Sequence, residues 1–424
     1  MNDFFLSVRG LILSKTAKDT YVVFAGNIIS FTFGIIFAVL GARAVEPSGW
    51  GIFTASGGLM VILFAFSELG LSSGLFRFVS ALWTKEKKKE ANEVASVIFS
   101  IRILTALVFS TFMVVFAKSI SGIVLKQSLP NLIYLTAFGL IGSLLMDFQI
   151  SLLQAKRKWV VSSFLTATTN FFRLMGLVAI QFYGRFTLSS LFAVFFLSPF
   201  ATFLVSLFFD QPTLGFGPNS FSIFRKVSKF SLWMGVNRSV GSISSRVDSI
   251  LLIQLAGSFE AGIVGAARQL SNAVLVLLGS FATVIAPRLA SYEGTHLKKY
   301  YKKVKLLSIL LGVGVLAGAI FVDPIISLFG PKYVLSAGVL KWLLVGLVPF
   351  ALSNPSVNAL IYAFHKPRII ALLSVIQLPL IVLGNIILIP KYGIYGPVIV
   401  IGVWNLSTLL VTHLKAKWEL SRIH

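Results

Sequence analysis

Nine ionisable side chains fall inside stretches of this chain that are otherwise too apolar for water. They are Arg102, Arg173, Arg238, Arg246, Arg268 and Lys341, with Glu68, Asp147 and Asp248. The densest group lies between Ser231 and Arg288, where two apolar segments are joined by the turn AGSFEAG. The first segment carries Asn237, Arg238, Ser239, Ser242, Ser244, Ser245, Arg246, Asp248 and Ser249, and Arg268 follows in the second. A charge at a bilayer centre costs at least ~2.5–3.5 kcal/mol, so such residues are kept where they face protein or water. Six cations against three carboxylates predict an internal cavity that is polar and cationic. Guanidinium groups stay charged and donate several hydrogen bonds at once, and Ser and Asn add uncharged donors and acceptors. The chemistry predicted is therefore accommodation of an anion or of water inside the membrane. Arg238 and Arg246 are the first candidates for binding, with Asn237, Ser242 and Ser245 beside them, and Arg102, Arg173, Arg268 and Lys341 next. On a helix, 238, 242, 245 and 249 share a face, and Arg246 is turned roughly 80° from Arg238. Both can then border one cavity at different depths.

The three carboxylates have a second use. Asp248, Glu68 and Asp147 are the groups on which a coupling proton or sodium ion could be carried, and Asp248 shares a helix with two arginines. Glu68 and Arg77 fall toward one end of their helix, where they could guard an entrance as a gate. The competing account is that the carboxylates simply pair with neighbouring arginines and fix the bundle, and that Lys341 snorkels to an interface. Three acids cannot neutralise six bases on either account. His296, His365, His413 and His424 are scattered without ligand spacing, so no metal site is expected. No nucleophile–base pair is visible, and the chain is not read as an enzyme.

The elements that must carry these residues are membrane helices. Of 424 residues, 56% are hydrophobic and 12% charged, a balance outside that of soluble domains. Twelve apolar stretches lie near 19–40, 52–76, 95–116, 131–153, 160–181, 188–208, 230–255, 262–286, 304–322, 336–361, 369–389 and 395–414. Helices are required, because backbone groups in lipid must be satisfied within the segment. Of the 37 lysines and arginines, 25 fall in one alternate set of connections and tails and 6 in the other. By the positive-inside rule both termini are cytoplasmic. The formal net charge of +23 is a topology signal, and nucleic acid is not an expected partner. Cysteine is absent, which excludes disulfides. No cleavable signal peptide is visible in the first apolar cluster, Phe4 to Leu13. Residues 1–18 read as an amphipathic interfacial segment.

Two halves echo each other. EPSGWG (46–51) resembles FEAGIV (259–264), KEKKKE (85–90) falls opposite KKYYKK (298–303), AKRK (155–158) falls near FHKPR (364–368), and Tyr183-Gly184 matches Tyr392-Gly393. A duplicated unit of six helices enters the membrane twice from the same side, so its repeats are related by a pseudo-two-fold along the membrane normal. The expected organisation is an N-terminal lobe at 19–208, an inter-lobe loop at 209–229, a C-terminal lobe at 230–414 and a cytoplasmic tail at 415–424. The loop contains Pro212, Gly215, Gly217 and Pro218. Pro349, Pro355 and Pro379 fall inside the tenth and eleventh helices, where each removes a backbone bond and predicts a bend.

Four segments carry a family resemblance: ELGLSSGLFRFVS (68–80), SRVDSILLIQLAGSFEAGIVGAARQLSNAV (245–274), APRLASYEG with LKKYYKKV (286–304) and IPKYGIYGPV (389–398). Together they resemble Wzx-like polysaccharide flippases of the multidrug/oligosaccharidyl-lipid/polysaccharide (MOP) exporter superfamily. The resemblance implies an all-α, MATE-like integral membrane protein of about twelve helices, with two six-helix lobes in a V that open alternately to either side. It implies a prokaryotic cytoplasmic membrane and an undecaprenyl-diphosphate-linked oligosaccharide moved from the inner to the outer leaflet. It also implies membrane lipids, a polysaccharide polymerase and a chain-length regulator as partners, and no cofactor beyond a coupling H+ or Na+. The alternatives are a cation-coupled exporter of drugs or small metabolites, which favours an acidic chamber, and a non-transporting scaffold for glycan assembly.

Overall fold

The computed structural model describes residues 15–184, 186–215 and 220–422, apart from the side chains of 15–22, Trp233 and Asn237. Residues 1–14, which hold most of the expected interfacial segment, lie outside this range; Lys15 already belongs to the first long helix. The described residues are almost wholly helical and contain no strand. Twelve long helices follow in order: α1 Lys15–Ala44, α2 Pro47–Glu68, α3 Lys88–Val115, α4 Pro130–Ala155, α5 Trp159–Phe182, α6 Leu188–Ser206, α7 Ser220–Leu255, α8 Ser258–Ser291, α9 Gly294–Gly318, α10 Leu335–Asn358, α11 Pro367–Tyr392 and α12 Gly396–Ser421. Ten stretches of the described residues are long and apolar enough to cross a membrane, and the last, Pro367–Ser421, contains both α11 and α12. α7 is not among them because its charges and hydroxyls dilute its hydropathy, although its 36 residues exceed a bilayer crossing. The chain is a multi-pass membrane protein.

Several boundaries differ from those read in the sequence. The segment expected to be loop as far as 229 is helical from Ser220. Arg225, Lys226 and Lys229 lower its hydropathy, but Ile223 and Val227 recur at helical spacing and pack into the core with Leu71, Leu75 and Val94. Likewise the basic run at 298–305 forms the first turns of α9, with Tyr301 and Val304 buried. The connection after α2 is a chain of short helical pieces, Leu71–Gly74, Leu75–Val79 and Ser80–Thr84, the middle one a π-helix. α10 and α11 continue through Pro349, Pro355 and Pro379.

Two compact units result. The first comprises residues up to 41, 59–123 and 127–242; the second comprises 42–58, 124–126 and 243–424. The division therefore falls within α7, and the second unit includes the start of α2. In the first unit α4 and α6 approach closely at Gly139 and Gly142, which lie against Phe196 and Phe200. In the second unit α10 and α12 do the same, a Cβ on Gly346 meeting the Cα of Gly402 at 3.3 Å. Small residues let membrane helices close to van der Waals contact where no hydrophobic force drives them together. Also in the second unit, Gly51 and Gly262 pack against the backbones of Ser258 and Pro47 with no room for a methyl. Tyr333 is buried beside this junction and donates to the Ala42 carbonyl at 3.0 Å. Burial, reinforced by Glu46, pushes its phenol up from the ordinary value, so it stays a donor at neutral pH.

Gly262→Ala is accordingly expected to lower the melting temperature of the detergent-solubilised protein by several degrees. Gly314→Ala, where a Cβ meets nothing within 4 Å, should leave it unchanged or slightly raised. Equal melting of the two variants would contradict the packing described.

Candidate functional site

In the first unit the charges gather around Glu68, the last residue of α2. Past it the chain takes left-handed backbone at Leu69 (φ 51°) and Gly70 (φ 73°). A side chain at Gly70 would strike the backbone of Ser231 and Gly235, so only glycine fits there. This reversal points two backbone N–H groups at the carboxylate: Gly70 N donates to Oε2 at 2.9 Å and Ser72 N to Oε1 at 2.6 Å. Arg102 of α3, fully buried, reaches Glu68 Oε1 at 3.3 Å, the Ser72 hydroxyl at 3.0 Å and Asp147 of α4 at 3.4 Å. Ser72 in turn donates to Asp147 Oδ2 at 2.7 Å. Arg238 of α7 completes the group at 3.4 Å from Glu68 Oε2, with its guanidinium 5.7 Å from the centre of the Phe64 ring. Two cations thus meet two carboxylates. Glu68 is fully buried and satisfied from every side, whereas Arg238 is 45% exposed.

A second group belongs to the second unit. Arg268 of α8 forms a bidentate pair with Asp248 of α7 and adds the Ser249 hydroxyl at 3.2 Å. The Ser245 carbonyl also accepts from Arg268, and Asp248 Oδ1 accepts from the Ser249 N–H at 2.8 Å. Arg246, on the same helix, is half-buried. Among the described residues no carboxylate lies within ion-pair distance of it and no hydrogen bond reaches it. This group carries one more cation than anion. Ser242 and Ser245 both have interaction partners, and Asn237 contributes a helical backbone position only, its side chain lying outside the described residues.

The remaining candidates stand apart from both groups. Arg173 of α5 donates to Asn170 Oδ1 at 3.0 Å and to the Phe195 carbonyl at 3.3 Å, and its guanidinium stacks 3.8 Å from the Phe195 ring centre. Asn170 is held in turn by the hydroxyl and carbonyl of Ser30 on α1. Lys341 pairs at 2.7 Å with Asp323, both half exposed. Arg77 lies in the π-helix after α2, exposed, with its guanidinium 4.3 Å from the Phe230 ring and making no ion pair among the described residues. Asp323 had no place in the sequence argument, and its signal was faint: an acid before a proline at a helix end. With it, four carboxylates face six intramembrane bases. The surplus is Arg173 and Arg246, two where the sequence suggested three. Ser72 was also missed, although LGLSS (69–73) directly after Glu68 offers a turn and a hydroxyl together.

Arg102→Ala would leave buried Glu68 and half-buried Asp147 with one cation fewer. Loss of one member of a buried pair costs ~3–5 kcal/mol, so a strongly lowered melting temperature is expected. Arg246→Ala removes no partner and should melt as the wild type does. Thermal unfolding monitored by tryptophan emission compares them.

The sequence profile of the polysaccharide biosynthesis protein family matches residues 16–293. No curated protein matches the chain. Solved structures do. An inward-facing multidrug resistance MATE family transporter of the MOP superfamily superposes with TM-score 0.76 at 15% identity, covering 93% of this chain and 95% of that one. The lipid II flippase MurJ, in an inward closed conformation, gives 0.75 at 17% identity, covering 94% and 87%. A MOP superfamily transporter from Pyrococcus furiosus, described as having a binding pocket of reverse polarity, gives 0.66 at 15% identity over 95% and 94%. At such identities these likenesses establish the fold. With a family match over well over half its length and a MOP-type, MATE-like helical architecture, the chain belongs to the polysaccharide biosynthesis protein family.

Proposed function

We propose that the protein is a flippase that carries an undecaprenyl-diphosphate-linked oligosaccharide from the cytoplasmic to the outer leaflet of a prokaryotic cytoplasmic membrane, with both termini in the cytoplasm. The observation that carries this reading is Arg246: a half-buried guanidinium in a membrane helix, beside the Arg268–Asp248 pair, with no carboxylate of its own. An uncompensated cation at that depth is unfavourable unless an anion or water visits it. A diphosphate offers two negative charges and oxygens spaced for bidentate guanidinium contacts. The serines on the same helix add donors and acceptors suited to sugar hydroxyls. The charge excess also speaks against export of cationic drugs, which calls for an acidic chamber.

In this reading Arg246 and Arg238 contact the diphosphate, with Asn237, Ser242, Ser245, Arg268 and Arg173 along its path. Arg102 acts as the brace of Glu68, and Lys341 anchors an outer helix end through Asp323. Arg77 guards the cytoplasmic entrance. Asp248, Glu68 and Asp147 are the groups through which a proton or sodium gradient would act. The mechanism is alternating access by rocking of two lobes, 19–208 and 230–414, joined by the segment 209–229. A polymerase and a chain-length regulator would receive the product.

The test is leaflet translocation in proteoliposomes, with a fluorescent undecaprenyl-diphosphate oligosaccharide and an impermeant quencher. Wild type should flip the lipid. Arg246→Ala, with unchanged melting, should slow flipping about ten-fold or more, as expected for loss of a charge-assisted phosphate contact. Arg246→Lys should fall between. Absence of flipping by wild type under imposed proton and sodium gradients would refute the function. Unimpaired flipping by Arg246→Ala would keep the function and discard the site.

A further inference from the structure

The first unit contains a groove of about 690 Å³ between α1 and α5 that is almost purely apolar. Ala25, Gly26, Ile29 and Phe33 form one wall, and Val160, Phe164, Ala167 and Phe171 the other. Its form follows from the sequence. A Cβ on Gly26 would stand only 2.6 Å from Ser163 Cβ, so the two helices approach closely there, and the Ser30 hydroxyl donates to the Thr166 carbonyl one turn further on. Phe33 and Phe171, with ring centres 5.8 Å apart, close the far end. Ser30, Asn170 and Arg173 are hydrogen-bonded in series between the same two helices, and Arg173 stacks on Phe195. The groove walls include some of the most exposed apolar side chains of the unit, among them Val160, Phe164 and Ile29.

The near end is basic. Lys156, Arg157 and Lys158 occupy the turn that opens α5, four residues or fewer from Val160. Lys156 and Lys158 both hold Asp210, at 2.9 and 3.0 Å. Lys158 Nζ also reaches the Phe209 carbonyl at 3.3 Å, and the Phe209 ring stands 6.2 Å from the Phe164 ring in the groove wall. The ammonium is thus linked to the groove wall through Phe209. Arg157 is exposed and in left-handed backbone (φ 60°), and among the described residues its side chain makes a single hydrogen bond, to the Thr84 hydroxyl. Lys156 is buried and offsets Asp210, which leaves Arg157 and Lys158 as two further cations in the turn that leads into the trough.

We infer that this groove is a capture site for the substrate lipid. The polyprenyl chain lies between α1 and α5, and its diphosphate rests on Arg157 and Lys158. The inference depends on the flippase reading above and names a place that reading does not. Charge complementarity chooses the occupant: the two further cations in the turn match the diphosphate, whereas a phosphodiester lipid offers a single charge. Volume is consistent, since 690 Å³ holds roughly six isoprene units at interior packing density. The groove also lies in the half of α5 next to the basic turn, so a lipid anchored there belongs to the same leaflet as those cations.

The test uses the full chain in nanodiscs and a polyprenyl diphosphate bearing a diazirine near the middle of its chain, with cross-linked peptides read by mass spectrometry. Labelling is expected on α1 and α5 groove residues, competed by unlabelled polyprenyl diphosphate and not by phosphatidylglycerol. Arg157→Glu, and separately Val160→Trp at the exposed mouth, should each cut that labelling about ten-fold with unchanged melting temperature. Labelling competed equally by phosphatidylglycerol would mean that ordinary membrane lipid fills the groove and would overturn the proposal. Specific labelling elsewhere in the chain would also overturn it, while leaving the flippase reading in place. No specific labelling anywhere would overturn both.

Discussion

Glu68 is the constraint around which the first unit is arranged. A carboxylate without exposure inside a membrane protein is tolerable only if every oxygen has a partner. Here the partners come from four segments: a reversed turn, α3, α7 and, through Ser72, α4. The backbone supplies two of them, which requires left-handed conformation at Leu69 and Gly70 and a bare glycine against α7. The ion pairs are thus not ornaments on a finished bundle. They fix the angle at which the chain leaves α2 and the depth at which Arg102 stands in α3.

Much of this was legible in the sequence. Hydropathy and the alternation of lysine and arginine define twelve spans, and the described residues form twelve long helices. α7 illustrates both the strength and the weakness of that approach. Its polar positions announced an unusual helix at once, yet the same polarity made its first ten residues look like loop. Only the recurrence of Ile223 and Val227 at helical spacing, against the core of Leu71 and Leu75, marks them as helix. Charge counting exposed an excess of cations but not the pairing. Which arginine meets which carboxylate depends on helix rotation and on long-range contacts, and neither leaves a periodic trace. Arg246 and Arg268 are indistinguishable as letters; one is locked to Asp248 and the other is not.

The groove between α1 and α5 was invisible for a related reason. Apolar residues facing lipid and apolar residues facing a trough have the same composition. The difference lies in a close crossing at Gly26 and Ser163, a contact across well over a hundred residues. The basic turn at 156–158 was read only as topology, which it also is. One set of charges can orient the chain during insertion and later hold Asp210, because Lys156 and Lys158 retain their positions relative to the membrane.

The second unit is not a continuous piece of chain. Its Ala42–Gly58 segment is separated by about two hundred residues from the α8 backbone against which Gly51 and Gly262 close, a high contact order for a helical protein. During synthesis this corner emerges early and has nothing to pack against until seven helices have been threaded. Its glycines therefore wait unpacked while the intervening helices are threaded; α8 is the first element to close against them, and Tyr333, which follows α9, completes the cover.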